Sequence, residues 1–230
     1  MVLLDNGRIS PRRDDSPRRV GTRVERRKAR TRARLLAAAR HLFATGGVEQ
    51  TTIAEIAGRA DIAIGSFYNY FGTKEELLDA LIEELFSEQL RLLQLRQAQV
   101  NDPAEKISIA HRHLVRVAQT DSDWAWLLVR LEVPHRVAWA VLGSAARRDL
   151  RDGIEGGRFQ LANPALALNA SGGALFAVIH AQLVGEGSKN ASSEHAEGVL
   201  RSFGLSQADA TEIAHRPLPD AVEPTEATPE

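Results

Sequence analysis

The chain has 230 residues, a formal net charge of −1 at pH 7 and no cysteine. This length suffices for one large core or two small domains, and the lack of cysteine excludes disulfides, thiolate metal sites and thiol catalysis. The charge is unevenly placed, since residues 1–34 hold 12 Arg or Lys against 4 acids and the remaining residues hold 17 against 26. A basic N-terminal segment ahead of an acidic body favours a polyanionic partner at that end. A GC-rich genome would explain the preference for Arg over Lys, but not this clustering.

Residues 1–26 are rich in Arg, Pro, Asp and Ser, and they are predicted to form a disordered basic arm. No apolar secretory signal is visible there, so we expect a cytoplasmic protein. Apolar residues at helical spacing between Leu35 and Phe43 predict a first helix over residues 28–45, which Gly46 and Gly47 end.

Residues 51–77 carry the most informative pattern, two short helices joined by a tight turn. Thr52 followed by Glu55 is a capping-box signature for the second helix, and a third helix is predicted over residues 64–71. In the turn, Asp61 tolerates a positive φ, whereas Ala63 offers the third helix no capping side chain. The third helix has an apolar stripe and an outward face without carboxylates, which carries Ser66, Tyr68, Asn69 and Tyr70. A helix-turn-helix reads DNA by laying such a second helix in the major groove.

The pattern resembles the DNA-binding domain of the tetracycline-repressor (TetR) family over about residues 30–81. The resemblance rests on Thr52, Ile56-Ala57, the run Gly65–Phe71, and Lys74–Leu77. The sequence departs from the family in the turn, where Asp61 replaces Gly, Ile62 replaces Val and Ala63 replaces Ser or Thr. The resemblance implies phosphate contacts from Thr52, Ser66, Tyr68, Tyr70 and Lys74, and base contacts from Ile64, Gly65, Ser66 and Asn69. The basic arm, including Arg26, Arg27, Lys28, Arg30 and Arg32, either follows the DNA backbone or minor groove or stays a solvated tail.

The rest of the chain predicts an all-α fold of about nine helices. Thr73 caps a long fourth helix that ends near residues 101–103, and further helices are predicted over residues 104–120, 123–133 and 135–152. Gly153–Gly157 is predicted to be a turn, Asn163-Pro164 opens the next helix, and the region 193–215 is helical with a break at Gly204. The predicted domains are a helix-turn-helix domain over residues 27–75, a helical effector-binding and dimerisation domain over residues 76–216, and a disordered acidic, Pro-rich tail over residues 217–230.

The family resemblance implies a small-molecule pocket in the body and a dimer interface formed by the last two helices. The candidate ligand-binding residues are Trp124, Trp126, Arg130, Trp139, Asn169, Phe176 and His180, although each of these types is also common in an ordinary core. Residues 164–184 carry no Asp, Glu, Lys or Arg, so a membrane span needs consideration. Their many polar and small residues instead favour a buried interface helix.

No catalytic or cofactor motif stands in a convincing frame, so we expect no enzyme and no cofactor or metal. His111 and His113 are two residues apart, and on a helix they point in different directions. The expected function is a homodimeric, sequence-specific repressor that binds a palindromic double-stranded DNA operator and that a small-molecule effector releases. The alternatives are an activator, a corepressor-dependent regulator or a non-specific, nucleoid-type DNA binder of the same fold. An adaptor or all-α enzyme that has lost DNA binding is a third possibility.

Overall fold

A computed structural model of the chain describes residues 23–130 and 136–222, with the side chains of residues 136–142 excepted. Most of the predicted basic arm and residues 223–230 of the predicted tail lie outside these ranges. The described residues form ten α-helices and no strand, one helix more than predicted. The helices are α1 (Arg23–Gly46), α2 (Ile53–Arg59), α3 (Ile64–Phe67), α4 (Lys74–Gln97), α5 (Pro103–Thr120), α6 (Ser122–Arg130), α7 (Arg136–Glu155), α8 (Pro164–Leu183), α9 (Ala191–Ser202) and α10 (Gln207–His215).

Helices α1 to α3 and the start of α4 form a small head, and the remaining helices form the body. One apolar core is continuous from the head into the body, from Leu35 and Phe67 through Phe86 to Trp124 and Ile179. A second core lies at the far end of the body, where Phe159 and Phe203 meet with ring centroids 5.3 Å apart. Because α1 and α4 contribute to the first core in both parts, they connect the head mechanically to the body.

Several predicted helix boundaries are confirmed because their caps are local. Thr52 and Glu55 form the reciprocal capping box of α2, and the hydroxyl of Thr73 accepts from the N–H of Glu76 at the start of α4. Asn163 caps α8 ahead of Pro164, and Gly204 with φ +96° separates α9 from α10. In each case the signal lies within three residues of the boundary.

Other boundaries were predicted wrongly. Helix α1 begins at Arg23, so residues 23–26 are helical rather than part of a disordered arm. Helix α3 ends at Phe67, and the chain turns over residues 68–70. Helix α7 runs through Gly153 to Glu155, because the missing side chain of Gly153 leaves room for the ring of Phe159, which a Cβ there would meet at 2.1 Å.

Candidate nucleic-acid interface

The turn between α2 and α3 is held by a side chain of α1. Asp61 has a φ of +53°, as its residue type predicted. The Arg34 guanidinium donates to the Asp61 carbonyl oxygen at 3.1 Å and to its carboxylate at 2.9 Å. Ala63 gives α3 no side-chain cap, so Arg34 supplies a constraint that the turn sequence itself lacks.

The candidate base-contacting residues lie together on an exposed face at the tip of the head. Ile64 is 52% exposed and Tyr68 is 57% exposed, while Gly65 and Asn69 are also exposed and Ser66 is half-buried. A Cβ added to Gly65 would meet no protein atom within 4 Å. An exposed isoleucine beside an asparagine and a glycine is typical of a binding surface. Burying its large apolar side chain against another molecule is favourable, because that removes apolar area from water.

Three of the five candidate phosphate-contacting residues, but not Ser66 and Tyr70, line an open groove of about 400 Å³ beside this face. These three are Thr52, Tyr68 and Lys74. The groove is also lined by Thr51, Ile53 and Thr73, which were not predicted as contacts, and by the acids Glu49 and Glu75. Thr73 was recognised only as a cap, because nothing local in the sequence indicates that α2 and α4 begin on the same side of the head. Tyr70 is half-buried and packs against the core of the head, so only part of its side chain faces solvent.

Lys74 has a structural role that was not predicted. Its ammonium donates to the backbone carbonyls of Val48 at 2.8 Å, Glu49 at 3.4 Å and Thr51 at 2.9 Å. These carbonyls belong to the loop between α1 and α2, so Lys74 ties that loop to the start of α4. A phosphate contact would therefore share an ammonium that already satisfies backbone acceptors.

The basic face continues along α1, whose residues 23–30 are all exposed. Arg30 lies on this segment together with Arg26, Arg27 and Lys28, and Arg32 stacks its guanidinium over the Phe71 ring at 5.4 Å from the centroid. A helical rather than disordered segment fixes the spacing between these cations.

The candidate ligand-binding residues fall into separate groups. Trp124 is buried, 1% exposed, and its ring centroid lies 5.8 Å from that of Phe86, while its indole N–H has no hydrogen-bond partner in the described part of the chain. Trp126 contacts two of the others, with the Arg130 guanidinium 4.8 Å and the His180 ring 6.2 Å from its own. Phe176 packs against the first core.

Two members of the set are not placed at a pocket. Asn169 lies near the start of α8, three helical turns from His180. Its side chain is exposed, because the body does not enclose this helix. Helix α8 is largely exposed in the single chain, and whether it is the predicted buried interface helix is not tested by one copy. Trp139 belongs to α7, but its side chain lies outside the described residues.

Helix α8 is long and apolar enough to cross a membrane by length and composition, and 22% of the relevant window is buried. The exposed residues of α8 and its C-terminal cap include a row in which neighbours are alternately four and three positions apart, namely Leu166, Ala170, Gly173, Ala177, His180 and the cap Val184. This spacing is that of a helix seam packed against another helix.

Two histidines of the body, His113 and His195, are buried, and His111 is half-buried beside His195. Nδ1 of His111 lies 2.9 Å from Nε2 of His195, whereas Nε2 of His113 lies 3.0 Å from Oε1 of Gln89 on α4. The two residues of α5 thus point in different directions, as their spacing predicted. Burial lowers the pKa of His111 to about 3, helped by the charge of His195, and burial lowers that of His195 to about 4. The described residues contain no group of three or more His, Asp or Glu that could hold a metal ion.

Comparison with known proteins gives two family matches. Residues 35–81 match the family described as bacterial regulatory proteins, tetR family, and residues 102–216 match the one described as tetracyclin repressor-like, C-terminal domain. The solved structure of RolR in complex with resorcinol is similar to this chain, with 38% identity and a TM-score of 0.69, over 87% of this chain and 100% of that one.

Two curated relatives match the N-terminal region. The transcriptional regulator TtgR of Pseudomonas putida is 30% identical over 95 residues, which are 41% of this chain and 44% of that protein. The transcriptional repressor KstR2 of Mycobacterium tuberculosis is 43% identical over 51 residues, which are 22% of this chain and 26% of that protein. The chain thus spans less than half the length of these curated relatives.

Proposed function

Because the chain belongs to the tetracycline-repressor family and is a DNA-binding transcriptional regulator, we propose that it is a homodimeric repressor of a palindromic operator. A small-molecule effector would release it from this DNA. The observation that carries the proposal is the exposed, carboxylate-free face of Ile64, Gly65, Tyr68 and Asn69 at the tip of the head. Beside this face lies an open groove in which the hydroxyls of Thr52 and Tyr68 and the ammonium of Lys74 support contact with a phosphate backbone.

In the proposed complex, α3 enters the major groove and the groove residues hold the backbone. Asn69 would pair with adenine, and the side chain of Ile64 would contact the methyl group of thymine. Thr52 and Tyr68 donate hydroxyls to phosphate, and the exposed cations from Arg26 to Arg30 add sequence-independent attraction. Specificity and affinity would thus come from different residues.

A second copy of the chain is the proposed cover for the exposed row on α8. The row contains no Asp, Glu, Lys or Arg, and Gly173 and Ala177 at its centre allow two helices to approach closely. An exposed apolar face of this length would be costly in water. Two heads joined in this way would present themselves to successive major grooves about 34–36 Å apart.

The proposed effector is a small hydroxylated aromatic molecule. Support comes from the 38% identity with RolR, which was solved with resorcinol, over that protein's full length. The buried indole N–H of Trp124 adds a physical reason, because a buried donor without a partner costs about 1–3 kcal/mol, which a ligand oxygen would recover. Trp126, Arg130 and His180 form a second polar and aromatic group between α6 and α8.

An activator, or a non-specific DNA binder of the same fold, is the alternative. The exposed basic segment of α1 favours the latter, because phosphate contacts alone give sequence-independent binding. The ratio of specific to non-specific affinity separates the two kinds of DNA binder, since specific regulators typically exceed their own non-specific binding by about 10³ or more.

The test is selection from a randomised duplex library at physiological salt, followed by sequencing of the bound fraction. A palindrome whose half-sites are about one helical turn apart is the expected result. Recovery of unselected sequence would overturn the proposal in favour of the non-specific binder. Adding resorcinol to the recovered complex then tests the effector class, with release of the DNA expected and unchanged affinity counting against it.

The dimer has a matched pair of variants. Ala177→Glu places a charge in the middle of the exposed row on α8 and should give monomers in sedimentation and lose operator binding. Ala98→Glu adds the same charge to an exposed position at the end of α4, outside α8 and the last two helices, and should leave both unchanged. Dimers of the Ala177→Glu protein would contradict the assignment of this face.

A further inference from the structure

Helix α1 touches the body through its later half. It packs on α2 and α4 within the head and on α6 within the body. Two adjacent residues of α1, Arg40 and His41, face two acids at the start of α6, Asp121 and Asp123. The Arg40 guanidinium is hydrogen-bonded to Oδ2 of Asp121, and Nδ1 of His41 lies 3.3 Å from Oδ2 of Asp123.

Asp121 holds two elements at once. Its Oδ2 accepts a hydrogen bond from the Arg40 guanidinium. Its Oδ1 accepts from the N–H of Trp124 at 3.0 Å and so caps α6. The same residue ends α5, because its own N–H donates to the Val117 carbonyl at 2.8 Å. One carboxylate therefore joins the first turn of α6, and with it the backbone of buried Trp124, to a cation of the DNA-binding head.

We propose that Arg40, His41, Asp121 and Asp123 form a latch that sets the orientation of the head on the body. A movement of Trp124 reaches α1 through Asp121, so the latch is the connection between effector and DNA, and this second part rests on the proposed function. Half-exposed polar contacts such as these two contribute little to folding stability. The latch therefore acts on orientation, and its loss should leave the fold intact.

The body contains a matched control for this arrangement. Asp102 caps α5 by accepting from the N–H of Ala104 at 3.0 Å, and its carboxylate also pairs with Arg158 at 3.1 Å. The side chains are exposed to a similar degree, 34% for Arg158 against 30% for Arg40. Both arginines bind a capping aspartate, but only Arg40 belongs to the head.

The test measures the distance from head to body in the free protein. Because the natural chain has no cysteine, Arg59→Cys and Glu155→Cys place spin labels at exposed ends of α2 and α7 without a competing thiol. Labelled protein is diluted into unlabelled protein, so that pulsed electron resonance reports distances within one chain. Arg40→Gln, which leaves the Asp121 cap in place, and Asp123→Asn are compared with Arg158→Gln.

Arg40→Gln, alone or with Asp123→Asn, should broaden the distance distribution or shift it by about 1–2 Å, the scale of helix shifts at a switching interface. Arg158→Gln should match the wild type. A distribution that Arg40→Gln and the double variant leave unchanged, or that Arg158→Gln changes equally, overturns the latch. This measurement needs neither operator nor effector. If the duplex selection recovered no preferred sequence, the proposed function would be overturned, but the measured distance distributions would be unaffected.

Discussion

Substitution of Gly65 by alanine separates the folding of α3 from its contact with DNA. Gly65 is the second residue of α3, and the added methyl would meet no protein atom within 4 Å. Alanine is favoured over glycine in a helix by at most about 1 kcal/mol. For a chain of this size that corresponds to a rise in Tm of no more than about 2–4 °C. The variant should therefore fold at least as well as the wild type.

The effect on DNA binding should have the opposite sign. If the backbone of α3 approaches the bases at Gly65, the methyl group displaces the helix and weakens a base contact worth about 1–3 kcal/mol. The Kd for the selected operator should rise by a factor of about 5–150, while binding to unrelated duplex should change little. Fluorescence anisotropy with both duplexes, together with a thermal melt, measures all three quantities.

Gly58→Ala is the control, because Gly58 is also helical and exposed and a Cβ there also meets nothing within 4 Å. It lies in α2, away from the proposed base-contacting face, so it should share the thermal effect and keep the operator affinity. Wild-type affinity in Gly65→Ala, or an equal loss in Gly58→Ala, would refute the close approach of α3 to the bases.

Three further results are expected. Asn69→Ala should relax the preference at one base pair in a repeated selection, and an unchanged recovered palindrome would remove Asn69 from base recognition. Lys74→Ala should weaken binding to all duplexes and lower by about 1 the slope of log K against log salt concentration. It should also lower Tm, because the carbonyls of Val48 and Thr51 lose their hydrogen-bond donor. Equal slopes for the variant and the wild type would leave Lys74 with a structural role only. His111 and His195 have low pKa values in the folded protein, whereas an unfolded histidine has a pKa near 6.5. Below pH 6.5 the unfolded chain therefore binds more protons than the folded protein does. The stability that these two neutral histidines allow should be fully present above pH 6.5 and be lost as the pH falls towards 4. His195→Gln should make Tm depend less on pH in this range, and an unchanged pH dependence of Tm would contradict this explanation.

The parts of the structure that were predicted correctly depend on neighbouring residues. The positive φ of Asp61 and the capping box of Thr52 and Glu55 are decided within a few positions of the chain. The missing cap at Ala63 was foreseen for the same reason. Helix-turn-helix recognition benefits from this, because nearly all of its signal is local.

The parts that could not be predicted depend on residues far apart in the sequence. Arg34 holds Asp61 from 27 positions away, and Arg40 meets Asp121 from 81 positions away. The three carbonyls that accept from Lys74 are backbone groups, so no residue type in the sequence indicates that this contact forms. The composition of α8 indicates an apolar helix but not what covers it, so the predicted interface remains a prediction. The contacts proposed for DNA and effector remain predictions.

The uncharged outer face of α8 has a consequence for the amount of protein that a cell needs. If only a second copy covers that face, folding and assembly share one equilibrium, and Tm rises with protein concentration. At low copy number the operator would be filled in proportion to the square of the chain concentration. A modest change in synthesis would then produce a sharper change in promoter occupancy, before any effector is present.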